Sequence, residues 1–323
     1  MADESSDLEL PVRMLSSWRK IADCLEAFPS PETSLDVDYG VHRTAWVFRG
    51  AGNASYELQP AVERGPKRES IEWHALEILV SDEFKSRLRM HLAAPGIPED
   101  NFSWLALMQH HGVPTRLLDF TYSPFVALYF AVRQYSREPG RHRARNGQSL
   151  ACRLWAIDAA AVNSRFRDVA HRAIANKHGK RLGGRVRLDP DSLLFDRDQL
   201  IDETLGWRRL IEELLPARGS LLHELDRQEC VCAALPPALN PRLASQQGVF
   251  MLNLAGGLGF KKSLDMMMAP RKTAWCKRFD IAETAIPEIE QKLFQMNIHE
   301  QSLFPDMQGL AELIRQKLRL HWK

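Results

Sequence analysis

Residues 109–131 read QHHGVPTRLLDFTYSPFVALYFA, and this stretch constrains the fold more than any other. Two adjacent histidines, a Gly–Pro punctuation, an arginine and an aspartate stand directly before an apolar run that opens with Ser-Pro. Ser123 at the N-cap and Pro124 at the first helical position make a strong helix start: the hydroxyl accepts from an orphan amide, and proline needs no donor there. The apolar residues that follow commit that helix to a core. The polar groups of the preceding loop are therefore delivered at a helix terminus, where free amides and the helix dipole hold small anions.

The rest of the chain supplies both helices and strands. Helical patterns cover residues 17–28, 69–92, 102–111, 123–135, 286–296 and 310–320, and β-type runs cover 44–48, 150–157, 230–235, 249–254 and 274–280. Residues 113–118 read as extended. The strands are dispersed among the helices without the regular alternation of a doubly wound parallel sheet. The expectation is an α+β fold with a mixed β-sheet and several surrounding helices. Residues 1–40 read as a helical and connector segment, and residues 41–323 as one domain with a helical insertion around 159–228.

Charge narrows the partners. A net charge of +2 argues against a dedicated nucleic-acid binder on bulk electrostatics. Between Arg133 and Arg187, however, 14 Lys/Arg face three acids, a block that is either a solvated face or a surface for nucleic acid or nucleotide phosphate. The five cysteines are irregularly spaced and no second Cys/His cluster accompanies Cys230 and Cys232, so they read as reduced core residues, and no metal is expected. The acidic start MADESSDLEL lacks the plan of a signal peptide, and the uncharged stretch between Asp119 and Arg133 is too short to span a bilayer. A cytoplasmic protein with no membrane partner is expected.

Several residues carry candidate chemistry. Trp46 and Phe48 share one face of a β-run, so Arg49 leaves on the other, beside a glycine that lets a ligand approach. Its planar fork suits a phosphate or carboxylate, or an edge-strand ion pair. His110 and His111 point about 100° apart on a helix and do not chelate one metal from one face. His110 can instead act as a base, with Asp119 folded back toward it. Arg116 and Asp119 are either anion-binding and acid–base groups or a structural ion pair that braces the loop. Ser123 is a cap whose amides form an anion site. Thr121 and Tyr129 add a hydroxyl and an aromatic face to it. Gln247, before Gly248, binds a ligand amide or ribose or satisfies loop backbone.

Four stretches together resemble the FRG domain family: Phe48-Arg49-Gly50 with YELQP at residues 56–60, the block at 109–131, Arg242-Leu-Ala-Ser-Gln-Gln-Gly-Val-Phe250, and the LFPDMQG at 303–309. The family is bacterial and phage-associated. In order of elements the chain is also similar to ADP-ribosyltransferases of the arginine/serine/glutamate class, through Phe48-Arg49-Gly50, then Thr121-Tyr122-Ser123 before ALYFA, then a strand at 249–254. That resemblance implies NAD as substrate, with Arg49 on its phosphate or ribose, Ser123 at the nicotinamide ribose and Tyr129 stacking. It implies a transferase or NAD glycohydrolase of the toxin or phage-defence kind. The chain departs from that class where Gln246 and Gln247 stand in place of the catalytic glutamate, so the acid would come from Asp119 or Glu77. Arg49, His110, Arg116, Asp119, Ser123 and Gln247 are expected to line one pocket for a nucleotide-like molecule. The alternative is a non-enzymatic module that recognises a nucleotide or nucleic acid.

Overall fold

The computed structural model describes residues 10–29, 46–64, 73–88, 98, 100–137, 144–145, 148–166, 169, 230–235, 241–254, 258–269 and 272–321. Its centre is a mixed sheet of eight strands. The strands are β1 (Val12–Leu15), β2 (Trp46–Ala51), β3 (Leu117–Thr121), β4 (Ala144–Arg145), β5 (Gln148–Asp158), β6 (Val231–Ala234), β7 (Gly248–Asn253) and β8 (Cys276–Ala282). They run in the order β1-β8-β5-β2-β3-β7-β6, with β4 pairing β5. β1 lies parallel to β8, and the other pairs are antiparallel. The fold is α+β, as the dispersed strands implied.

Alternation builds a core on each face. Along β5, Trp155 and Ile157 enter one core while Leu154 and Ala156 enter the other. The first core is closed by α3 (Asn101–His110) through Phe102, Leu105 and Met108, and by α6 (Phe260–Met268) through Phe260, Leu264 and Met267. The second is closed by α1 (Trp18–Glu26), α4 (Pro124–Arg137) and α8 (Ile286–Gln295). Between these elements lie α2 (Trp73–Leu88), α5 (Pro241–Ser245) and α7 (Lys272–Trp275). α9 (Glu300–Leu303) and α10 (Met307–His321) end the chain.

Two local features depart from the sequence reading. Residues 12–15 form an edge strand in a segment read as helix and connector; four residues before Ser-Ser are too few to display a period. β2 continues through Arg49 and Gly50 to Ala51, so Arg49 lies within the strand and not at its end. The glycine beside it serves packing: a Cβ on Gly50 would overlap the Ala127 carbonyl oxygen and lie 2.6 Å from the Ala131 nitrogen. Gly50 therefore lets α4 lie flush on β2, and it also lines the cleft described below. Most of the expected insertion at 159–228 and most of the basic block lie outside the described residues.

One seam positions the site. β2 pairs β5 over six residue pairs and β3 pairs β7 over five, but β2 meets β3 at the single pair Phe48–Thr121. The sheet opens beyond that rung.

A long-range cap holds α6. Its N-cap, Gly259, has no side chain, and the Phe260 N–H donates instead to Glu63 Oε1 at 2.9 Å. Burial pushes the Glu63 carboxyl up from 4.5 to about 7, against that hydrogen bond and the nearby Arg116 charge. Because the folded value is the raised one, the folded state holds an extra proton between those limits. Glu63 thus contributes a stability that falls as pH rises from 4.5 to about 7. Glu63→Gln keeps the acceptor and removes the titration. Its thermal midpoint, compared between pH 5 and pH 8, should fall less than the wild type's; an equal fall in both would reject the assignment. Among the described residues, no helix is long and apolar enough to cross a membrane.

Candidate functional site

A cleft of about 450 Å³ sits at the seam, lined from β2, β3, α3, α4 and the α5–β7 turn. Helices reach it from both faces of the sheet, α3 from one core and α4 from the other.

Arg49 spans the opening. Trp46 and Phe48 both pack against Phe28 with ring centroids 5.0 Å apart, which turns Arg49 toward the seam. Its Nη1 donates to the Asp119 carbonyl at 2.5 Å. That carbonyl lies two residues past the last rung, so a side chain holds a group that the interrupted ladder leaves behind. Burial lowers the Arg49 pKa, Asp119 opposes the shift, and Arg64 adds to it. The guanidinium is half-buried and has no carboxylate within ion-pair distance among the described residues.

The Asp119 carboxylate enters the same cleft. Gln109 Nε2 donates to its Oδ2 at 2.9 Å, and Gln109 Oε1 accepts from the Thr115 hydroxyl at 2.7 Å. The threonine hydroxyl fixes which end of the amide faces the aspartate, so Gln109 acts as an oriented donor. His110, at the end of α3, lines the cleft beside them. Burial lowers its pKa, His111 and Arg242 lower it further, and Asp306 works the other way. The shift favours the neutral ring, the form that can accept a proton. Thr121 closes the floor, its hydroxyl donating to the Gln246 carbonyl at 2.7 Å.

The structure thus gathers Arg49, His110, Asp119 and Thr121 around one cleft and places four other expected residues elsewhere. Arg116 is buried at 3% exposure, outside the cleft lining. Its Nε meets Glu77 Oε2 at 2.5 Å, its backbone N–H donates to Glu77 Oε1 at 2.6 Å, and Trp73 covers its guanidinium. The ion pair that braces this loop is therefore Arg116–Glu77 and not Arg116–Asp119, which also removes Glu77 from the choice of catalytic acid. Ser123 is a cap: its Oγ accepts from the Val126 N–H at 3.3 Å, and its own N–H donates to Thr121 Oγ1. Tyr129 is buried, its hydroxyl donating to Glu300. Gln247 occupies a left-handed turn at φ 47°, where its backbone ties Ala244 to Tyr122.

Gln246 lines the cleft in place of Gln247, and Gln109, Arg133, Gln134 and Arg242 join it. Arg133 was legible as one turn beyond Tyr129 on the same helix face. Arg242 stood inside a recognised motif whose glutamines drew attention away from it.

Within the basic block, Arg133 pairs with Glu300 and Arg153 with Asp280, the latter at 2.7 Å. All five cysteines are buried, and none is in a disulfide. Among the described residues no group of three or more His, Cys, Asp or Glu is placed to hold a metal.

No curated protein and no solved structure matches the chain. Residues 44–139, which supply Arg49, Gln109, His110, Asp119 and Thr121 of the cleft lining, match the family model of the FRG domain.

Proposed function

We propose that the cleft binds NAD and that the protein cleaves it or transfers its ADP-ribosyl group, as in a toxin or phage-defence effector. The observation that supports this reading most directly is the pairing of Arg49 with Asp119 across the seam. A half-buried guanidinium with no carboxylate partner among the described residues favours an anionic occupant, and a carboxylate oriented by Gln109 stands beside it. In the proposed reaction the C1′–N bond of the nicotinamide ribose breaks and its electron pair leaves with neutral nicotinamide. Asp119 stabilises the positive charge that grows on the ribose, the role that the missing glutamate plays in the resembled class. Water or an acceptor then bonds to C1′ and gives its proton to His110.

Nicotinamide release measures this. Arg49→Ala and Asp119→Asn are each expected to lower it on the order of 10²-fold, the usual effect of removing one electrostatic contact to a transition state. Asp119→Asn is expected to leave the thermal midpoint near wild type, while Arg49→Ala, which also removes the hydrogen bond to the Asp119 carbonyl, should lower it modestly. NAD binding without nicotinamide release would favour the non-enzymatic nucleotide-recognition reading, and absence of NAD binding would reject the NAD assignment.

A further inference from the structure

We infer that Arg242 is a phosphate-recognising residue of the cleft, backed by the Phe304 ring, and that the occupant carries a diphosphate. This goes beyond the NAD reading. It shares the cleft with it and holds for any diphosphate-bearing ligand.

Arg242 lines the cleft and its guanidinium lies over the Phe304 ring, 4.5 Å from the centroid. Arg133 lies over the same ring at 4.7 Å. The two guanidinium groups differ in their partners. Arg133 is neutralised by Glu300, its Nε donating to Oε2 at 2.7 Å and its Nη2 to Oε1. Glu300 is buried, and its Oε2 also accepts from the Tyr129 hydroxyl. Its two oxygens are thereby committed to α4. Arg242 has neither an ion pair nor a hydrogen bond among the described residues. Asp119 and Asp306 act on it through space alone.

The support behind Arg242 is rigid. Phe304 is buried, and Gly309 packs against its carbonyl so closely that a Cβ there would overlap it. Asp306 caps α10 by accepting from the Gly309 N–H at 2.7 Å. Gln246 Nε2 donates to the Leu303 carbonyl at 3.0 Å and ties the Arg242 segment to α9. Arg133 of α4 and Arg242 of α5 thus both lie over the ring of Phe304, the residue that follows α9. A guanidinium stacked by its face keeps its edge of N–H donors for a ligand, and that fork matches two oxygens of a phosphate.

Charge supports a diphosphate over a single phosphate. With Arg133 and Glu300 cancelling, the lining holds Arg49 and Arg242 against Asp119, so two guanidinium groups serve an occupant that brings its own negative charges. A purely structural Arg242 would serve equally well as an apolar cover for Phe304. Leucine provides that cover.

The test is calorimetric titration of wild type, Arg242→Lys and Arg242→Leu with inorganic pyrophosphate and with ADP-ribose, alongside each thermal midpoint. Wild type should bind both. The lysine variant, which keeps charge but loses the planar fork, should bind at least about 10-fold more weakly, and the leucine variant should lose pyrophosphate binding, with midpoints near wild type. Unchanged affinity in Arg242→Lys and Arg242→Leu, or no pyrophosphate binding by wild type, would overturn the subsite. Should Arg242→Leu fail to fold, the lysine variant carries the comparison. Arg242-dependent binding of pyrophosphate without any nicotinamide release rejects the NAD reading and leaves the subsite standing. Nicotinamide release with unaltered affinities in both variants does the reverse.

Discussion

Glu77→Ala is expected to destabilise the protein by about 3–5 kcal/mol, the range for removing one member of a buried ion pair. Glu77 and Arg116 are 4% and 3% exposed, so water does not reach the guanidinium that the substitution would strand. The carboxylate has a second task, since its Oε1 accepts the Arg116 backbone N–H. An apolar double substitution, Glu77→Leu with Arg116→Met, removes the stranded charge but leaves that amide unpaired. It should therefore recover part of the loss and not all of it. Denaturant unfolding measures both. A cost below about 1 kcal/mol for Glu77→Ala would mean that Arg116 finds water or another partner. Arg49 gives the contrast: disrupting the buried Arg116–Glu77 pair is expected to show in stability, while truncating Arg49 is expected to show mainly in the proposed nicotinamide release.

Gly50→Ala should cost about 3 kcal/mol, the upper end of ordinary overpacking, because the intruding methyl meets backbone. Its neighbours are the Ala127 carbonyl and the Ala131 nitrogen of α4, and helix backbone does not step aside as a side-chain tip does. Pushing α4 from β2 also moves Arg133 and Gln134 on the cleft wall, so ligand binding should fall with stability. Gly112 makes a useful control. It has φ +78° but nothing within 4 Å of an added Cβ, so Gly112→Ala should pay only for the left-handed backbone, about 1–2 kcal/mol. Equal effects at the two glycines would show that conformation, and not the close approach of α4, sets the requirement at Gly50.

The boundaries that sequence patterns define well were legible. Ser123-Pro124 fixed the start of α4 because cap chemistry is local, and the apolar run at residues 249–254 lies on β7 to within a residue. Long-range partners were not legible. Arg116 could have paired with Asp119, three residues away, or with any acid the fold brought near; it took Glu77, 39 residues away. Gln246 and Gln247 were indistinguishable by composition, and the turn that turns one inward depends on the left-handed backbone of the other. α6 went unnoticed because its N-cap has no side chain and its cap is contributed by Glu63, 197 residues earlier. Of the site, the stretch around residue 109–131 pointed to the right place. The histidines in it drew attention that belonged equally to Gln109, whose role depends on a threonine and an aspartate six and ten residues on.

The single rung between β2 and β3 leaves two half-sheets, β1-β8-β5-β2 with β4 on one side and β3-β7-β6 on the other. The chain does not finish one before starting the other. It passes between them four times, from β2 to β3, from β3 to β4, from β5 to β6 and from β7 to β8. Such interleaving makes the halves inseparable as folding units even where few hydrogen bonds join them. Neither half can form from a contiguous fragment, so the cleft is a product of the whole chain's closure.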